Sequence, residues 1–307
     1  MKAIRLHARG GAEQLVYEEA PRPALRPGDA LVRVLATSLT RNELDWGPTY
    51  TDEQGQSRLP SIPGHELCGV VEEVAPGLTE VVPGEEVYGL TSFFRDGTPA
   101  ELVAVRAADL APKPRVMSAL EVATVPLAGL TAWQALFDHG DLAAGQRVLV
   151  HGAAGGVGSF AVQLAKWRGA QVIGGTSAAN ISFVKDLGAH EAIDYAASHF
   201  ETATEPVDMI LDTIGGEIQH RSWSLLKPGG VLVSIAGESI EVPRDRRGLF
   251  FIVTADRREL IEIGKLIDQG DVKTVIAAIV PLERAREAFD ELVQSNKRGK
   301  VVVSVGE

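Results

Sequence analysis

Two periodicities divide the chain. Up to about residue 118, short apolar and β-branched runs predict strands at 3–6, 15–18, 30–36, 69–74, 86–90 and 100–105. Turn residues separate them: Pro21-Arg22-Pro23, Pro27-Gly28-Asp29, Pro76-Gly77 and Pro83-Gly84. Many short strands so punctuated point to a small barrel or sandwich. Residues 49–63 interrupt them as a polar loop with few apolar anchors, a candidate lid or pocket rim. Beyond residue 118 the period changes. Residues 121–139 carry helical spacing, and Val148-Leu149-Val150 is the continuous apolar run of a buried parallel strand. Helices at 160–168 and 181–187 then alternate with strands at 171–174, 192–194, 209–212, 230–235 and 249–253. Six strands with intervening helices predict an α/β fold, a doubly wound parallel sheet. The tail reads as helix 257–269, strand 275–280, helix 282–294 and strand 301–305. It is too short for a core of its own and is expected to complete the first domain. The expected domains are 1–118 with 256–307, and 119–255.

The junction after the run at 148–150 carries the clearest chemistry. There an apolar strand enters a glycine-rich turn, Gly152-Ala153-Ala154-Gly155-Gly156-Val157-Gly158, and a helix follows. That is the context a dinucleotide site requires. Gly152 permits the tight turn, Gly155 lets the backbone approach a pyrophosphate, and Gly158 lets helix pack on strand. The helix N-terminus offers free N–H groups to the anion. The next strand ends Val172-Ile173-Gly174-Gly175-Thr176-Ser177 with no acid to bind a ribose 2′-hydroxyl. That ending favours NADPH over NADH, with Ser177 facing the 2′-phosphate and Asn180 close by.

Composition narrows the partners. Thirty basic and 41 acidic residues give a net charge of −11, which excludes a nucleic-acid or anionic-membrane surface. The single cysteine, Cys68, excludes a disulfide framework, a four-thiolate cluster and a cysteine-rich zinc site. No apolar run reaches membrane-spanning length, and the first residues lack the apolar core of a secretory signal, so a cytoplasmic address is expected. No G-x-S-x-G or H-E-x-x-H is present to support hydrolase chemistry.

These residues together resemble the medium-chain dehydrogenase/reductase superfamily, and within it the zinc-free quinone oxidoreductase-like branch. The resemblance runs along Pro63-Gly64-His65-Glu66-x-x-Gly69, Val82-Pro83-Gly84-Glu85, Ala128-Gly129-Leu130-Thr131 and the 152–158 loop. It continues through Leu187-Gly188-Ala189, Asp212-Thr213-Ile214-Gly215-Gly216, Leu226-Lys227-Pro228-Gly229-Gly230 and Gly299-Lys300-Val301-Val302. It implies a GroES-like, partly open β-barrel built from both chain ends, with a Rossmann domain between them and the cofactor in the cleft. By matched position the cofactor set is Thr131, the 152–158 loop, Ser177, Tyr195, Thr213, Ala236, Phe251, Ile252, Val253 and Lys300. Thr40, Asn42, Trp46 and Phe93 would line the substrate pocket. Tyr50 would donate a hydrogen bond or proton to the developing oxyanion. A homodimer is the family expectation.

Zinc-dependent relatives bind their metal through a cysteine after an early strand, the histidine of Gly-His-Glu and a second cysteine. Here Thr40 stands at the early position and only His65 of that set remains, so no metal is expected. His65 is then expected to be a hydrogen-bonded histidine, and Cys68 a small buried apolar residue. The activity implied is NADPH-dependent reduction of quinones or other α,β-unsaturated carbonyls. The alternatives are a zinc-dependent alcohol dehydrogenase and a cofactor-binding family member without enzymatic activity.

Overall fold

The computed structural model describes residues 1–196, 199–237, 241–294 and 298–306. The chain forms two compact units, 1–127 with 255–269 and 274–307, and 128–254 with 270–273. The first boundary therefore falls after Leu127 rather than at 118. The physical reason is that Glu66 accepts a 2.9 Å hydrogen bond from the Leu127 amide, which ties residues 119–127 to the first unit.

The first unit opens with strands β1 (Lys2–Leu6), β2 (Leu15–Glu19), β3 (Asp29–Leu39), β4 (Glu66–Val74), β5 (Glu86–Leu90), β6 (Leu102–Arg106) and β7 (Leu110–Pro112). The second unit contributes β8 (Arg147–His151), β9 (Gln171–Thr176), β10 (Glu191–Asp194), β11 (Val207–Asp212), β12 (Leu226–Ser234) and β13 (Arg247–Phe250). The chain then returns to the first unit with helix Arg257–Gln269, β14 (Ile276–Pro281), helix Ala285–Gln294 and β15 (Lys300–Ser304).

Within the first unit β1 and β2 pair as an antiparallel hairpin, and seven strands form one sheet in the order β14-β15-β3-β4-β5-β7, with β6 also on β3. The long β3 organises this sheet. Its residues 29–33 pair with β6 and its residues 36–39 with β15, while β4 runs along its other side. Two irregularities in the β3–β4 register bend the pair where β3 changes partner. The returning β15 thus completes the sheet begun by the N-terminal strands. Helix Arg257–Gln269 buries Leu260, Ile263, Leu266 and Ile267 on one face. The buried Tyr88 hydroxyl donates to the Leu260 carbonyl, anchoring that helix on β5.

The second unit is a six-stranded parallel sheet in the order β10-β9-β8-β11-β12-β13. This is the doubly wound order with its switch point between β8 and β11, where ligands bind at the carboxyl ends of strands. Leu149, Ile173, Phe200, Ile210 and Leu232 form its core. The sixth strand is displaced from expectation, ending at Phe250 instead of running 249–253. Beyond it the backbone of Thr254 is taken by the Gln134 side chain, through bonds of 2.9 and 3.1 Å, and not by a strand. The helix expected over 121–139 is broken too. Pro126 cannot sit in a helix interior, so Ala119–Val122 ends before it. Pro126–Trp133 then runs into wider π-helical turns over Gln134–His139. No helix among the described residues is long and apolar enough to cross a membrane.

At the β3–β4 bend a Cβ on Gly69 would lie 2.3 Å from the Arg33 carbonyl oxygen. Gly69→Ala is expected to cost about 1–3 kcal/mol of stability through overpacking. Calorimetry should show a Tm lowered by several degrees; an unchanged Tm would mean that the strand pair yields there without cost.

Candidate active site

In the first unit a chain of polar side chains gathers where β4, β15 and the end of β3 meet. Gly64 (φ 84°) turns the backbone into β4, and a Cβ there would lie 2.6 Å from Pro99. This turn delivers His65 and Glu66 side by side into the interior, at 2% and 1% exposure. Glu66 is fully engaged. One oxygen accepts from Ser38 Oγ at 2.6 Å and from Lys300 Nζ, and the other from the Leu127 amide. Lys300, itself buried, also donates to Thr40 Oγ1 at 3.1 Å. The Thr40 amide donates to Glu43 Oε2 at 2.9 Å, and Glu43 Oε1 is buried with no hydrogen-bond partner. Burial pushes the Glu43 carboxyl up to about 8, against the opposing pull of Lys300 and with a further push from Glu66. Thr40, Asn42, Glu43 and Leu44 also wall a cavity of about 250 Å³ with Phe289. Asn42 itself is exposed and left-handed, at φ 64°.

His65 is not the hydrogen-bonded histidine expected from sequence. Both its ring nitrogens are buried without a partner among the described residues. Burial, with a contribution from Arg58, pushes its pKa down to about 3, so the ring is neutral at ordinary pH. Trp46 lies nearly parallel to it at 6.0 Å and Phe93 edge-on at 4.8 Å. Two pocket residues inferred by resemblance thus meet around His65, while Thr40 belongs to the neighbouring Lys300 network. Thr91 is bound to the same place, its amide donating to the His65 carbonyl at 2.6 Å, yet its hydroxyl has no partner.

Tyr50 requires a correction. Its ring is 4% exposed in the core with Ile4, Leu39 and Phe289, and its hydroxyl donates to the Leu44 carbonyl. A proton so committed is not available to a substrate, so the structure removes Tyr50 from the donor role. Arg58, nearby in sequence, carried no readable signal. Arg58 Nη1 donates to the carbonyls of Pro48 and, at 3.2 Å, Phe93, while Nη2 makes no hydrogen bond and lies 3.6 Å from Asp96.

In the second unit the glycine loop leaves β8 and caps helix Gly156–Trp167 through Gly155. Gly152 has φ 68°, and a Cβ on it would lie 2.3 Å from Thr213 Oγ1. A Cβ on Gly158 would meet the Gly152 carbonyl oxygen at 2.1 Å. The backbone can hold this turn only with glycine at 152 and 158, and the helix N-terminus lies next to it, so the residues present fit a pyrophosphate. Ala153 and Ala154 are buried in the loop, and Gly156 and Val157 start the helix half-exposed. Ser177 follows β9 and accepts from Asn180 Nδ2 at 3.2 Å; Tyr195 follows β10, 48% exposed. The two lie at the carboxyl ends of paired strands, with no acid between Thr176 and Asn180.

Thr213 donates to the His151 carbonyl at 2.8 Å, joining the carboxyl ends of β8 and β11. Asp212 is the residue that sequence reading passed over. Fully buried, it accepts from the Ile214 and Gly215 amides, Gln219 and Ser234 at 2.9–3.0 Å. Ser234 in turn bonds Ala236. One carboxylate therefore fixes the loops that carry Thr213 and Ala236. Thr131 is buried in helix Pro126–Trp133. Phe251 packs on His139 with ring centroids 4.5 Å apart, Ile252 is 65% exposed and Val253 is buried.

The donor set around His65 does not fit zinc. No three His, Cys, Asp or Glu side chains come together among the described residues. Both Glu66 oxygens are taken, one by a lysine ammonium, and burial pushes the Cys68 thiol up to about 12.

Comparison with known proteins agrees with this architecture. The family described as alcohol dehydrogenase GroES-like domain matches residues 26–115, and that described as zinc-binding dehydrogenase matches 187–303. The probable zinc-binding oxidoreductase, mitochondrial, of Arthroderma benhamiae is 33% identical over 93% of this chain and 91% of its own. The NADPH-dependent alkenal/one oxidoreductase, chloroplastic, of Arabidopsis thaliana is 32% identical over 99% of this chain and 79% of its own. The quinone oxidoreductase from Coxiella burnetii superposes with a TM-score of 0.90 at 31% identity, covering 99% of both chains. Fold, glycine cradle and relatives define an oxidoreductase with a nicotinamide cofactor. The chain belongs to the medium-chain dehydrogenase/reductase superfamily.

Glu43 yields a pH prediction. Its folded pKa of about 8 lies above its ordinary 4.5, so the folded state binds the extra proton between those values. Its stabilising contribution is full below about pH 4.5 and is lost as pH rises through about 8. Glu43→Gln should therefore flatten the fall in urea midpoint across that window. Identical pH dependence in wild type and variant would show that the carboxyl is not held protonated.

Proposed function

We propose that this protein is a zinc-independent, NADPH-dependent reductase of quinones or other α,β-unsaturated carbonyls, acting as a homodimer. The observation that carries the reading is the Lys300–Glu66 pair beside His65, a donor set suited to hydrogen bonding and unsuited to a metal. Conjugated acceptors spread incoming charge onto oxygen, and so depend less on a Lewis acid than simple ketones do. The names of the Arabidopsis and Coxiella relatives point to the same acceptors.

When bound, the nicotinamide supplies the hydride. The chain's part is to hold and orient. The loop of Gly152, Ala153, Ala154, Gly155, Gly156, Val157 and Gly158 would take the pyrophosphate on its amides. Ser177, with Asn180 and Tyr195, would take the 2′-phosphate; support comes from the missing acid at the end of β9. Thr213 and Ala236, set by Asp212, would face the nicotinamide half, with Thr131, Phe251, Ile252, Val253 and Lys300 completing the set implied by the family. For the homodimer, support comes from β13, an outer strand of its sheet, and from the exposed Ile252 just past it.

Oxidation of reduced nicotinamide, followed by absorbance with a panel of quinones and enones, tests the reading. Turnover with NADPH exceeding that with NADH is expected. Ser177→Asp should lower kcat/KM for NADPH by about tenfold or more, because a carboxylate then faces a phosphate, and should raise it for NADH. Unchanged NADPH kinetics in that variant would remove the cofactor assignment. NADPH binding without turnover on any quinone or enone would remove the acceptor class.

A further inference from the structure

Buried polar groups are almost always paired, and one left unpaired is costly. In the first unit four buried atoms with no hydrogen-bond partner among the described residues fall in one neighbourhood: both ring nitrogens of His65, Thr91 Oγ1 and Arg58 Nη2, the last ion-paired with Asp96 at 3.6 Å. The connections are short. The Thr91 amide bonds the His65 carbonyl, Arg58 Nη1 bonds the Phe93 carbonyl, and the Phe93 ring packs on the His65 ring. The chemistry of the group is lopsided toward donation. A guanidinium only donates, a neutral imidazole donates from one nitrogen, and a hydroxyl does either. Trp46 and Phe93 add flat apolar surface around it. Such a set matches a planar conjugated molecule with an oxygen that gains negative charge.

We propose that Arg58, assisted by His65 and Thr91, is the oxyanion-holding group of this enzyme and takes the carbonyl oxygen of the acceptor. The inference rests on the reductase reading above. In the step it serves, hydride forms a C–H bond at the conjugated carbon of an enone, and the displaced π pair moves to oxygen. Arg58 Nη2–H donates to that enolate oxygen until water protonates the α-carbon, giving the saturated ketone and a hydroxide. With a quinone the hydride's electron pair ends on the oxygens of a hydroquinone anion, held in the same way. His65 is suited to the task because burial keeps its ring neutral, so that one N–H donates without adding a second buried cation. The Asp96 carboxylate, 61% exposed and 3.6 Å from Nη2, orients the guanidinium without occupying its hydrogen-bond position.

The test uses the intact enzyme with NADPH, 1,4-naphthoquinone and 3-buten-2-one, and p-nitrophenol as a non-reacting oxyanion probe. Removing one oxyanion donor typically costs about 10²–10³ in kcat. Arg58→Met should lose that much, mainly in kcat, with NADPH affinity measured by fluorescence changed less than about twofold. Arg58→Lys should recover part of the loss, because a point charge replaces a directed fork. Thr91→Val, a near-isosteric change, should cost a smaller factor. Bound p-nitrophenol should ionise at lower pH than the free phenol in wild type, and lose that shift in Arg58→Met or, if that variant does not fold, weaken it in Thr91→Val. Kinetics within about threefold of wild type together with an unchanged p-nitrophenol titration would overturn the proposal. A wild type that ionises p-nitrophenol through Arg58 but oxidises NADPH with neither acceptor would overturn the reductase reading and leave the anion site standing.

Discussion

The buried pair of Lys300 with Glu66 is the interaction on which the first unit depends. It joins residues 234 positions apart, linking β15 to β4 by their side chains across the β3 that lies between them. Removing one partner of such a pair typically costs about 3–5 kcal/mol, because the other charge is left buried and unpaired. The pair also sets its surroundings. Lys300 holds the Thr40 hydroxyl, and Glu66 holds Ser38 and the Leu127 amide, so the end of β3, the start of β4 and the edge of the unit are fixed together. Burial holds the Glu43 carboxyl, close to that charge pair, well above the usual carboxylate range. A lysine sits against the glutamate of Gly-His-Glu, and both nitrogens of the neighbouring His65 have no hydrogen-bond partner among the described residues.

The second unit rests on a different constraint, the close approach of backbone to backbone. A Cβ on Gly158 would strike the Gly152 carbonyl oxygen, one on Gly152 would strike the Thr213 hydroxyl, and Asp212 ties the facing loops with four hydrogen bonds. A rigid, anion-ready cradle at the switch point of a parallel sheet follows from those contacts. Charge orders one unit and steric closeness the other.

Local features were the legible ones. The 152–158 loop showed itself because strand, glycines and helix are contiguous, and helix 257–269 because its apolar face repeats over thirteen residues. What escaped was decided across the chain. The three-residue β7 is too short for a period to register. The sixth strand ends at Phe250, and by Thr254 the backbone bonds a glutamine more than a hundred residues away instead of a strand. Tyr50 was expected to serve a developing oxyanion, and only the fold reveals that it is core. Glu43 and Arg58 drew no expectation, since nothing in their spacing announces burial. Thr91 and His65 are 26 residues apart, and the β4–β5 pairing that joins them has no signature in either segment.

On the proposed function, side-chain donors do here what a metal does in zinc-dependent members of the superfamily. Metal analysis of the purified protein, coupled to quinone turnover with NADPH before and after exhaustive chelation, tests it most directly. The account predicts far less than one zinc per chain and full turnover after chelation. One tightly held zinc per chain, whose removal abolishes turnover and whose return restores it, would contradict the account.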